Sequence, residues 1–594
     1  MLTLGFPLQA VAQNPPVTIN GTHNGDAFGN SSNGGATADI GLPFEFNILD
    51  IKSTGSVSGS AYGASADDIV PTLTVSENEV FVQAGGSVTG DAYGGFANNL
   101  GDAVIANSNT VDISGTVSGE VFGGLADTAT PAGLGNASIN IVNINGNVGS
   151  SVSSNPLSSV LGGWAKSVAE ENKVTVNGGM VHADIYGGYT VFNNSITNSD
   201  NIVTINGGQI DGKVLGGFAT GEDTVTVTGN IADITGGTVS GDVFGGVVKN
   251  GTSGQVNLNT VTIEGGQIDG KVVGGHASGG GINNTLLKNI VEINGGIIEG
   301  SIYGGENTCD ESITLQNEVT ISGGWVKSDV FGGYASGGGI VAVGGNIVKI
   351  EDRQIDGKVF GGVIENTVNG NVVANIVTIT GGQIGGDVVG GNARGGIGNN
   401  VETSEVHIYD GTIVGNIYGG DDSSSGAATH GNIVSIHDGI VNSLLVYGAN
   451  VSDGSGGNAN GVFIYDGTVN ANIVRGGYAH TTNGDASFVT NKVYVEGGTV
   501  NSSIEGARAV TVDGAALVFR NEVRIWNAGT TVNNPGGFIY GGSAYASGTG
   551  TATANENSVR IEDGADVNVA NIVGGVADSG TVDSNPDMSL SVGF

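Results

Sequence analysis

One sequence pattern recurs along most of the 594-residue chain and limits what this chain can fold into. Its clearest copy, from Asn201 to Gly217, reads N-x-V-x-I-x-G-G-x-I-x-G-x-V-x-G-G, and a loop of variable length follows. The leading Asn returns every 28 to 30 residues in the centre of the chain, and Ser404 replaces it once. A unit of this length cannot bury its apolar face alone, so successive units must stack. The other leading positions are Asn47, Asn78, Asn109, Asn140, Asn172, Asn230, Asn259, Asn289, Asn317, Asn346, Asn375, Asn432, Asn460, Asn491, Asn521 and Asn557.

The alternation of apolar residues within each unit is typical of short β-strands. Alternate side chains of a strand share a face, so Asn201, Val203 and Ile205 point the same way. Ile210 and Val214 share a face after the first Gly pair, and a third extended segment is expected after the second Gly pair. Both Gly pairs are predicted to form corners, because Gly adopts positive φ without steric cost. Almost no window shows a helical period.

These features predict an all-β fold, a right-handed parallel β-helix (β-solenoid) of about 18 coils with ~29 residues per coil. Leucine-rich repeats need helical or comparable packing in their second half, and propeller blades are longer. Left-handed β-helices follow a hexapeptide period, which this repeat does not obey. The predicted organisation is a remnant of a secretion signal at 1–13 and an N-terminal cap or irregular first coil at 14–46. The repeat solenoid follows at 47–577, and 578–594 is a terminal segment or the start of further sequence.

Residues one repeat apart are predicted to become neighbours in adjacent coils. The Asn positions then form a buried ladder whose amides bond to the coils on both sides, satisfying groups that cost about 1–3 kcal/mol each when left unpaired. The central ladder residues are Asn172, Asn201, Asn230, Asn259, Asn289, Asn317, Asn346 and Asn375. The predicted inward column is Val203, Ile231, Val261, Val291, Val319, Ile347 and Val377. An outward column, in which the sign of charge alternates or is interrupted, is Lys213, Asp242, Lys271, Ser301, Asp329, Lys358 and Asp387.

Charge and composition exclude several classes of function. The chain has 18 Lys+Arg against 56 Asp+Glu, a formal net charge of −38. Nucleic acids and anionic membranes are therefore excluded as partners, because both require clustered basic residues. No apolar run reaches the roughly 18 residues that a membrane-spanning helix needs. The single Cys309 permits neither an intrachain disulfide nor a Cys-based metal site.

An aromatic position before the second Gly pair is the first candidate site. It is either a platform on which sugar rings stack or a packed corner of the solenoid. The aromatic residue exchanges with Leu215, Val273 and Val389, which favours packing over recognition. The residues considered for this platform are Tyr186, Phe244, Tyr303, Phe331, Phe360 and Tyr418.

Two acidic pairs, Asp67–Asp68 and Asp421–Asp422, are the second candidate, because paired carboxylates act as acid and base in glycoside hydrolysis. The pairs lie far apart in the chain with few basic residues nearby, so solvated loop carboxylates are the favoured interpretation. No residue spacing is typical of a metal site, an activated nucleophile or a cofactor-binding loop. We therefore expect no catalytic residue, no metal and no cofactor.

From about Asn47 to Gly575, the G-G-x-I-x-G-x-V-Y-G-G units and the Asn ladder resemble the passenger regions of autotransporter adhesins from Gram-negative bacteria. The residues Ala10-Val11-Ala12 match the small-x-small pattern before a signal-peptidase cut, which favours export. The resemblance implies a location at the cell surface or outside the outer membrane. It also implies a C-terminal membrane β-barrel, which we do not expect within these 594 residues. It transfers no binding residue, because adhesin contacts lie in variable loops.

The leading hypothesis is a non-catalytic, secreted or surface-displayed protein that mediates attachment or cell–cell contact through its variable loops. The expected partner is a host surface protein, a glycan or a second copy of the chain. One alternative is a β-helix polysaccharide lyase or hydrolase. It predicts three or four carboxylates together with Arg or Lys on adjacent coils. A further alternative is a structural component of an extracellular matrix or fibre.

Overall fold

The computed structural model describes residues 16–29, 44–45, 47–68, 72–99, 103–128, 133–149, 159–191, 195–279, 283–562, 564–579 and 589–592. These residues form β-strands and turns with no helix, so no long apolar helix able to cross a membrane is found among them. The chain is a parallel β-solenoid of about 18 turns with ~29 residues per turn, which confirms the predicted fold class. It divides into two compact units, Met1–Ala219 and Thr220–Phe594. The predicted secretion signal at 1–13 lies outside the described residues.

Each complete coil contains four strands, here named a to d in chain order. In the coil that begins at Asn230 they are Ile231–Ile234, Thr238–Val239, Val243–Lys249 and Ser253–Asn257. Each strand pairs in parallel with the corresponding strand of the next coil. The repeat therefore sets the register, as the sequence predicted, but a coil has four strands where only three extended segments were expected.

The strands of the first unit follow this order through successive coils. Strand a is Val17–Ile19, Ile48–Ile51, Glu79–Val82, Thr110–Ile113, Ile141–Ile144, Lys173–Val176 and Ile202–Ile205. Strand b is Thr22–His23, Ser56–Val57, Ser87–Val88, Thr116–Val117, Asn147–Val148, Met180–Val181 and Gln209–Ile210. Strand c is Ala27–Phe28, Ala61–Asp68, Ala92–Asn99, Val121–Thr128, Ser159–Ala165, Asp184–Val191 and Val214–Thr220. Strand d is Phe44–Glu45, Thr72–Ser76, Ala103–Asn107, Leu134–Ser138, Val168–Glu170 and Ile196–Ser199.

The second unit repeats the same four strands, with some neighbouring strands merged. Strand a is Ile231–Ile234, Thr260–Ile263, Ile347–Ile350, Ile376–Ile379, Glu405–Ile408, Ile433–Ile436, Gly461–Ile464, Lys492–Val495, Glu522–Ile525, Ser558–Ile561 and Ser589–Val592. Strand b is Thr238–Val239, Gln267–Ile268, Arg353–Ile355, Gly382–Ile384, Thr412–Ile413, Ile440–Asn442, Thr468–Asn470 and Thr499–Val500. Strand c is Val243–Lys249, Val272–Ser278, Ile302–Asn307, Val330–Ser336, Val359–Glu365, Val388–Arg394, Ile417–Asp422, Leu445–Ser452, Ile473–Asn483 and Ser503–Asp513. Strand d is Thr224–Thr228, Ser253–Asn257, Thr285–Leu287, Ile313–Leu315, Ala342–Gly344, Asn371–Val373, Asn400–Glu402, Ala428–His430, Gly456–Asn458, Ala486–Val489, Ala515–Phe519 and Thr551–Asn555. Ile290–Ile298 and Glu318–Val326 run through a and b, and Thr531–Ala546 and Asp566–Ser579 run through b and c.

The core consists of the inward residues of all four strands, and two members of the predicted inward column were wrong by one position. Ala232, not Ile231, pairs with Val261, and Val348, not Ile347, continues the column. The inward position is the second residue after the ladder Asn. Because side chains alternate in a strand, the larger Ile one position earlier is on the outer, partly exposed face.

The leading Asn of each coil is buried and connects adjacent coils. Asn259 Nδ2 donates to Asn289 Oδ1 at 3.0 Å and to the backbone oxygen of Val227 at 3.1 Å. Its own Oδ1 accepts from Asn230 Nδ2 at 3.0 Å. In the first unit, Asn172 Nδ2 donates to Asn201 Oδ1 at 2.8 Å. None of the eight central ladder residues has exposed surface, so the ladder is internal and contacts no ligand: Asn172, Asn201, Asn230, Asn259, Asn289, Asn317, Asn346 and Asn375.

The second Gly pair is not a corner, contrary to the prediction. It lies inside strand c, where a Cβ on Gly246 would come within 2.5 Å of Asn259 Cγ. Gly is required here because the ladder amide packs directly against the backbone. Positive φ occurs instead at the first pair, as at Gly266 (88°), and at the residue before the ladder Asn, as at Leu258 (57°).

Strands also occur outside the range predicted for the repeat. Val17–Ile19 and Thr22–His23 pair in parallel with the strands of the coil that begins at Asn47. Ser589–Val592 pairs in the same way with Ser558–Ile561. The described parts of the predicted cap and terminal segment are therefore joined in register to the regular coils.

The substitution Asn259→Ala is expected to lower the free energy of unfolding by about 1–3 kcal/mol, because it leaves buried donors and acceptors of neighbouring coils unpaired. Chemical denaturation followed by circular dichroism measures this loss. Asn501→Ala is the control, since the exposed Asn501 makes the same kind of amide bond to Asn470, at 2.7 Å. Equal losses in the two variants would contradict a special contribution from the buried ladder.

Candidate ligand-binding groove

The outer face of strand c carries the side chains on both sides of the second Gly pair. At the Gly pair the alternation of side chains reverses, so the residues on both sides of the pair face outward. In strand Val359–Glu365, Phe360 and Val363 pack in one outer apolar cluster. The next residue, Ile364, packs with Val343 and Val372 in the interior. We call the outer surface along the residues before the Gly pair, which includes one cavity described below, the strand-c groove.

The predicted aromatic column forms the floor of this groove rather than a corner of the coil. Tyr303 and Phe331 stack with ring centroids 4.7 Å apart and planes at 4°, and Phe331 and Phe360 stack at 5.1 Å and 10°. Tyr186, in the first unit, contacts Tyr189 edge-to-face at 5.0 Å. A ring whose faces are covered by neighbouring rings presents only its edge. A continuous stretch of the column therefore offers no flat face for a sugar.

Val273 interrupts the aromatic stack, and a charged group fills the gap. Lys271 Nζ lies 5.5 Å from the ring centroid of Phe244 and 5.9 Å from that of Tyr303. Glu306 Oε2 lies 2.5 Å from Lys271 Nζ and 2.8 Å from His276 Nδ1. Burial opposes ionisation of Glu306, but His276 and Lys271 outweigh it and lower its pKa to about 2. This gap is therefore closed by the protein's own ion pairs.

Val389 also interrupts the stack, and here the guanidinium of Arg394 lies over the ring of Phe360 with a cavity beside it. A cavity of about 340 Å³ has Phe360, Val389 and Tyr418 as its floor. Tyr418 meets the next ring, Tyr447, edge-to-face at 80°, so this neighbour does not cover it by stacking. The two walls supply charged and polar groups: Asp329, Lys358, Asp387, Asn392, Arg394, Asp421 and Ser423. An apolar floor with donors and acceptors at its sides is typical of a site for a small polar ligand.

The first wall comes from the predicted outward column of alternating charge. Lys358 Nζ pairs with Asp387 Oδ2 at 2.7 Å. Asp329 Oδ1 accepts from the backbone N–H of Lys358 at 2.8 Å, and Asp387 Oδ1 accepts from that of Asn416 at 2.9 Å. Asp242, away from the cavity, accepts from the next coil in the same way. These carboxylates therefore have a structural function even where no cavity exists.

The second wall is a network on the far side of the Gly pair. Asp421 accepts from Asn392 Nδ2 at 2.8 Å and from Asn450 Nδ2 at 2.7 Å. Arg394 Nε donates to Asn392 Oδ1 at 2.8 Å, and its guanidinium lies 4.6 Å from the ring centroid of Phe360. Burial raises the pKa of Asp421 despite these hydrogen bonds. The polar groups are thus held in place before any ligand binds.

The interpretation of Asp421–Asp422 as solvated loop carboxylates was wrong. Both residues end strand Ile417–Asp422, so alternation directs Asp421 to the groove and Asp422 to the interior, where it is 0% exposed. Asp422 Oδ1 accepts from the backbone N–H and the hydroxyl of Ser424 at 2.9 and 2.7 Å. Its Oδ2 has no hydrogen-bond partner among the described residues. Burial raises its pKa to about 7. The side chains of Asp67–Asp68 lie outside the described part of the chain.

Three carboxylates, a Lys and an Arg on adjacent coils thus surround one cavity. This is the arrangement that the sequence analysis required of a polysaccharide-degrading enzyme. The sequence placed Asp329, Lys358 and Asp387 in one column and marked Val389 as a break in the aromatic column, but it did not predict that these positions and Asp421 line one cavity. In the described ranges, no group of three or more His, Cys, Asp or Glu residues is placed to hold a metal ion.

No protein-family model, curated protein or solved structure matches this chain. The functional argument therefore rests on the geometry of the groove.

Proposed function

We propose that this protein is a non-catalytic attachment protein at the cell surface or outside the cell, and that it binds a glycan in the strand-c groove. The observation that carries the proposal is the cavity at Val389, which is lined by apolar, charged and amide side chains. A sugar ring has an apolar face and a rim of hydroxyl groups. The apolar floor suits the face, and the carboxylates, amide and cations of the walls suit the hydroxyl groups.

The repeat architecture is consistent with export. Contacts between coils join residues about 29 positions apart, so a chain that emerges unfolded can add one coil at a time. The lone Cys309 makes folding independent of disulfide formation within the chain. Together with the resemblance to autotransporter passengers, these properties support a cell-surface location. The proposed contact surface is the groove, whereas the sequence analysis expected the variable loops.

Binding of the full chain to an array of surface glycans, followed by titration of the best ligand, tests this proposal. Asn392→Ala and Asp387→Asn are each expected to weaken binding about tenfold or more, because each removes a polar contact of the cavity. Asp242→Asn is the matched control, since Asp242 occupies the same column and makes the same backbone contact away from the cavity. Failure to bind any glycan, or equal effects of the Asp387 and Asp242 variants, would contradict the proposal.

The carboxylate cluster favours a second candidate function, cleavage of the bound polysaccharide. Asp421, with its raised pKa, would donate a proton to the leaving oxygen, and Asp387, which contacts Lys358, would act as the base. The structural contacts of Asp329 and Asp387 explain their presence without catalysis, so we rank this function second. Release of reducing ends or unsaturated products from the bound glycan, lost in Asp421→Asn, would establish it in place of simple attachment.

A further inference from the structure

In the first unit, the corner between strands a and b carries a short row of Asn residues, each followed by Gly. We call Asn145, Asn177 and Asn206 the surface amide row. Asn177 Nδ2 donates to Asn145 Oδ1 at 3.0 Å, and Asn206 Nδ2 donates to Asn177 Oδ1 at 2.8 Å. All three Asn residues are exposed, unlike those of the internal ladder. The row therefore presents three Asn–Gly pairs at equivalent positions of adjacent coils.

Asn is a chemically labile residue, and it is most labile when Gly follows it. The backbone nitrogen of the Gly attacks Cγ of the Asn, an N–Cγ bond forms, and the Cγ–Nδ2 bond breaks. The proton of the Gly N–H leaves with the released ammonia, and water then opens the resulting succinimide at either carbonyl to give Asp or isoaspartate. Gly permits this attack because it has no Cβ. The reaction therefore needs a Gly N–H without a hydrogen-bond acceptor and open space around the Gly.

Gly146, which follows Asn145, meets neither requirement. Its N–H donates to the backbone oxygen of Ile113 at 3.0 Å, and the residue is buried. A Cβ built on Gly146 would collide with the backbone oxygen of Gly115 in the preceding coil. Attack on Asn145 therefore requires the corner to open first.

Gly178, which follows Asn177, meets both requirements. Among the described residues, neither the N–H of Gly178 nor that of Gly207 donates a hydrogen bond. A Cβ built on Gly178 would have no atom within 4 Å, whereas one on Gly207 would lie 3.2 Å from the backbone oxygen of Asn177. The side-chain bonds of Asn177 are exposed, so water can replace their partners at little cost. The three positions thus differ in surroundings although their dipeptides are identical.

We propose that Asn177 is a site of spontaneous deamidation in the folded protein, with Asn206 reacting more slowly and Asn145 protected. The product loses the Nδ2 donor to Asn145 and adds a negative charge. Isoaspartate also lengthens the backbone by one atom between strands Lys173–Val176 and Met180–Val181. A second carboxylate at Asn206 would face the first, and like charges on neighbouring strands repel. The age of a molecule is thus recorded as negative charge at this corner of the first unit.

Incubation of the folded full chain at mildly alkaline pH, followed by pepsin digestion in acid and mass spectrometry, tests this site. Acid stops the reaction during digestion. Asn177 is expected to deamidate about tenfold or more faster than Asn145, because reaction at Asn145 requires local opening. In the urea-denatured chain the two should react at similar rates. Equal rates in the folded chain, or no reaction at Asn177 while the denatured chain reacts, would overturn the proposal.

The variant Gly178→Ala tests the mechanism without altering the reacting Asn. It is expected to slow deamidation of Asn177 about tenfold or more, because the methyl group obstructs attack by the backbone nitrogen. The open space around Gly178 accommodates this methyl group, so the fold should stay intact. Gly536→Ala is the matched control, since Gly536 has the same open space but follows Pro535. An unchanged rate in Gly178→Ala, or a product that contains Asp without isoaspartate, would show that no succinimide forms and would overturn the proposal.

Discussion

Ile205→Asp is expected to unfold locally the coils around it in the first unit. Ile205 has no exposed surface and pairs with Val176 of the preceding coil. Removal of its buried apolar side chain costs about 2–5 kcal/mol. The new carboxylate adds several kcal/mol more, because it is buried without a partner. We expect this total free-energy cost to exceed the stabilisation that the contacts between neighbouring coils provide, so these coils should unfold locally.

Hydrogen exchange measured by mass spectrometry tests this expectation strand by strand, which matters because long repeat arrays need not unfold in a single step. Protection should be lost in Lys173–Val176 and Ile202–Ile205. Thr204→Asp is the control, because Thr204 is on the outer, partly exposed face of the same strand. Its effect should stay below about 1 kcal/mol. Unchanged protection in Ile205→Asp would mean that the inner and outer faces are assigned the wrong way round.

Asp422→Asn is expected to change the free energy of unfolding of the second unit differently at pH 8 and at pH 4. The change should be about 4 kcal/mol more stabilising at pH 8. Burial raises the pKa of Asp422 from 3.8 to about 7 in the folded protein. The folded state therefore holds this proton more tightly than the unfolded state. The contribution of Asp422 to stability is complete below about pH 4 and is lost as the pH rises to about 7. Asn carries no charge at any of these pH values, so the variant avoids this loss.

Melting temperatures and hydrogen exchange of strand Ile417–Asp422 between pH 4 and 8 measure this effect. Local exchange is needed because Glu120, in the first unit, also has a pKa raised to about 7 by burial and by Asp91. Asp466→Asn is the control, since Asp466 is exposed in a turn. A wild-type strand that becomes more protected as the pH rises, or a variant with the same pH dependence as the wild type, would show that Asp422 does not titrate in the interior.

The register and the identity of the core were predictable from the sequence, for a local reason. Side chains alternate in a strand, and the repeat places equivalent residues about one turn apart, so Val203 and Ile205 had to share the inner face with Asn201. The Asn ladder follows from the same periodicity. The errors at Ile231 and Ile347 arose where hydrophobicity was given more weight than distance from the ladder Asn.

Other features depend on contacts between coils that leave no repeated sequence signal. Within the described ranges, the residue before a ladder Asn takes positive φ whether it is Ile139, Leu258 or Lys288, because the turn geometry and not the side chain selects it. The second Gly pair was misassigned because Gly is needed there for a different reason than a turn. The ladder amide occupies the space in which a Cβ would lie. Asp422 was misassigned because its burial depends on where strand c ends.

The periodic part of this protein, its strands, register and internal ladder, was thus determined by the sequence alone, because the rules that set it act within one repeat. The candidate site was decided only by the tertiary structure. The cavity of the strand-c groove lies where a Val breaks a stack of rings from neighbouring coils. Such sites arise from departures from the repeat, and the consequence of a departure depends on which side chains adjacent coils place around it.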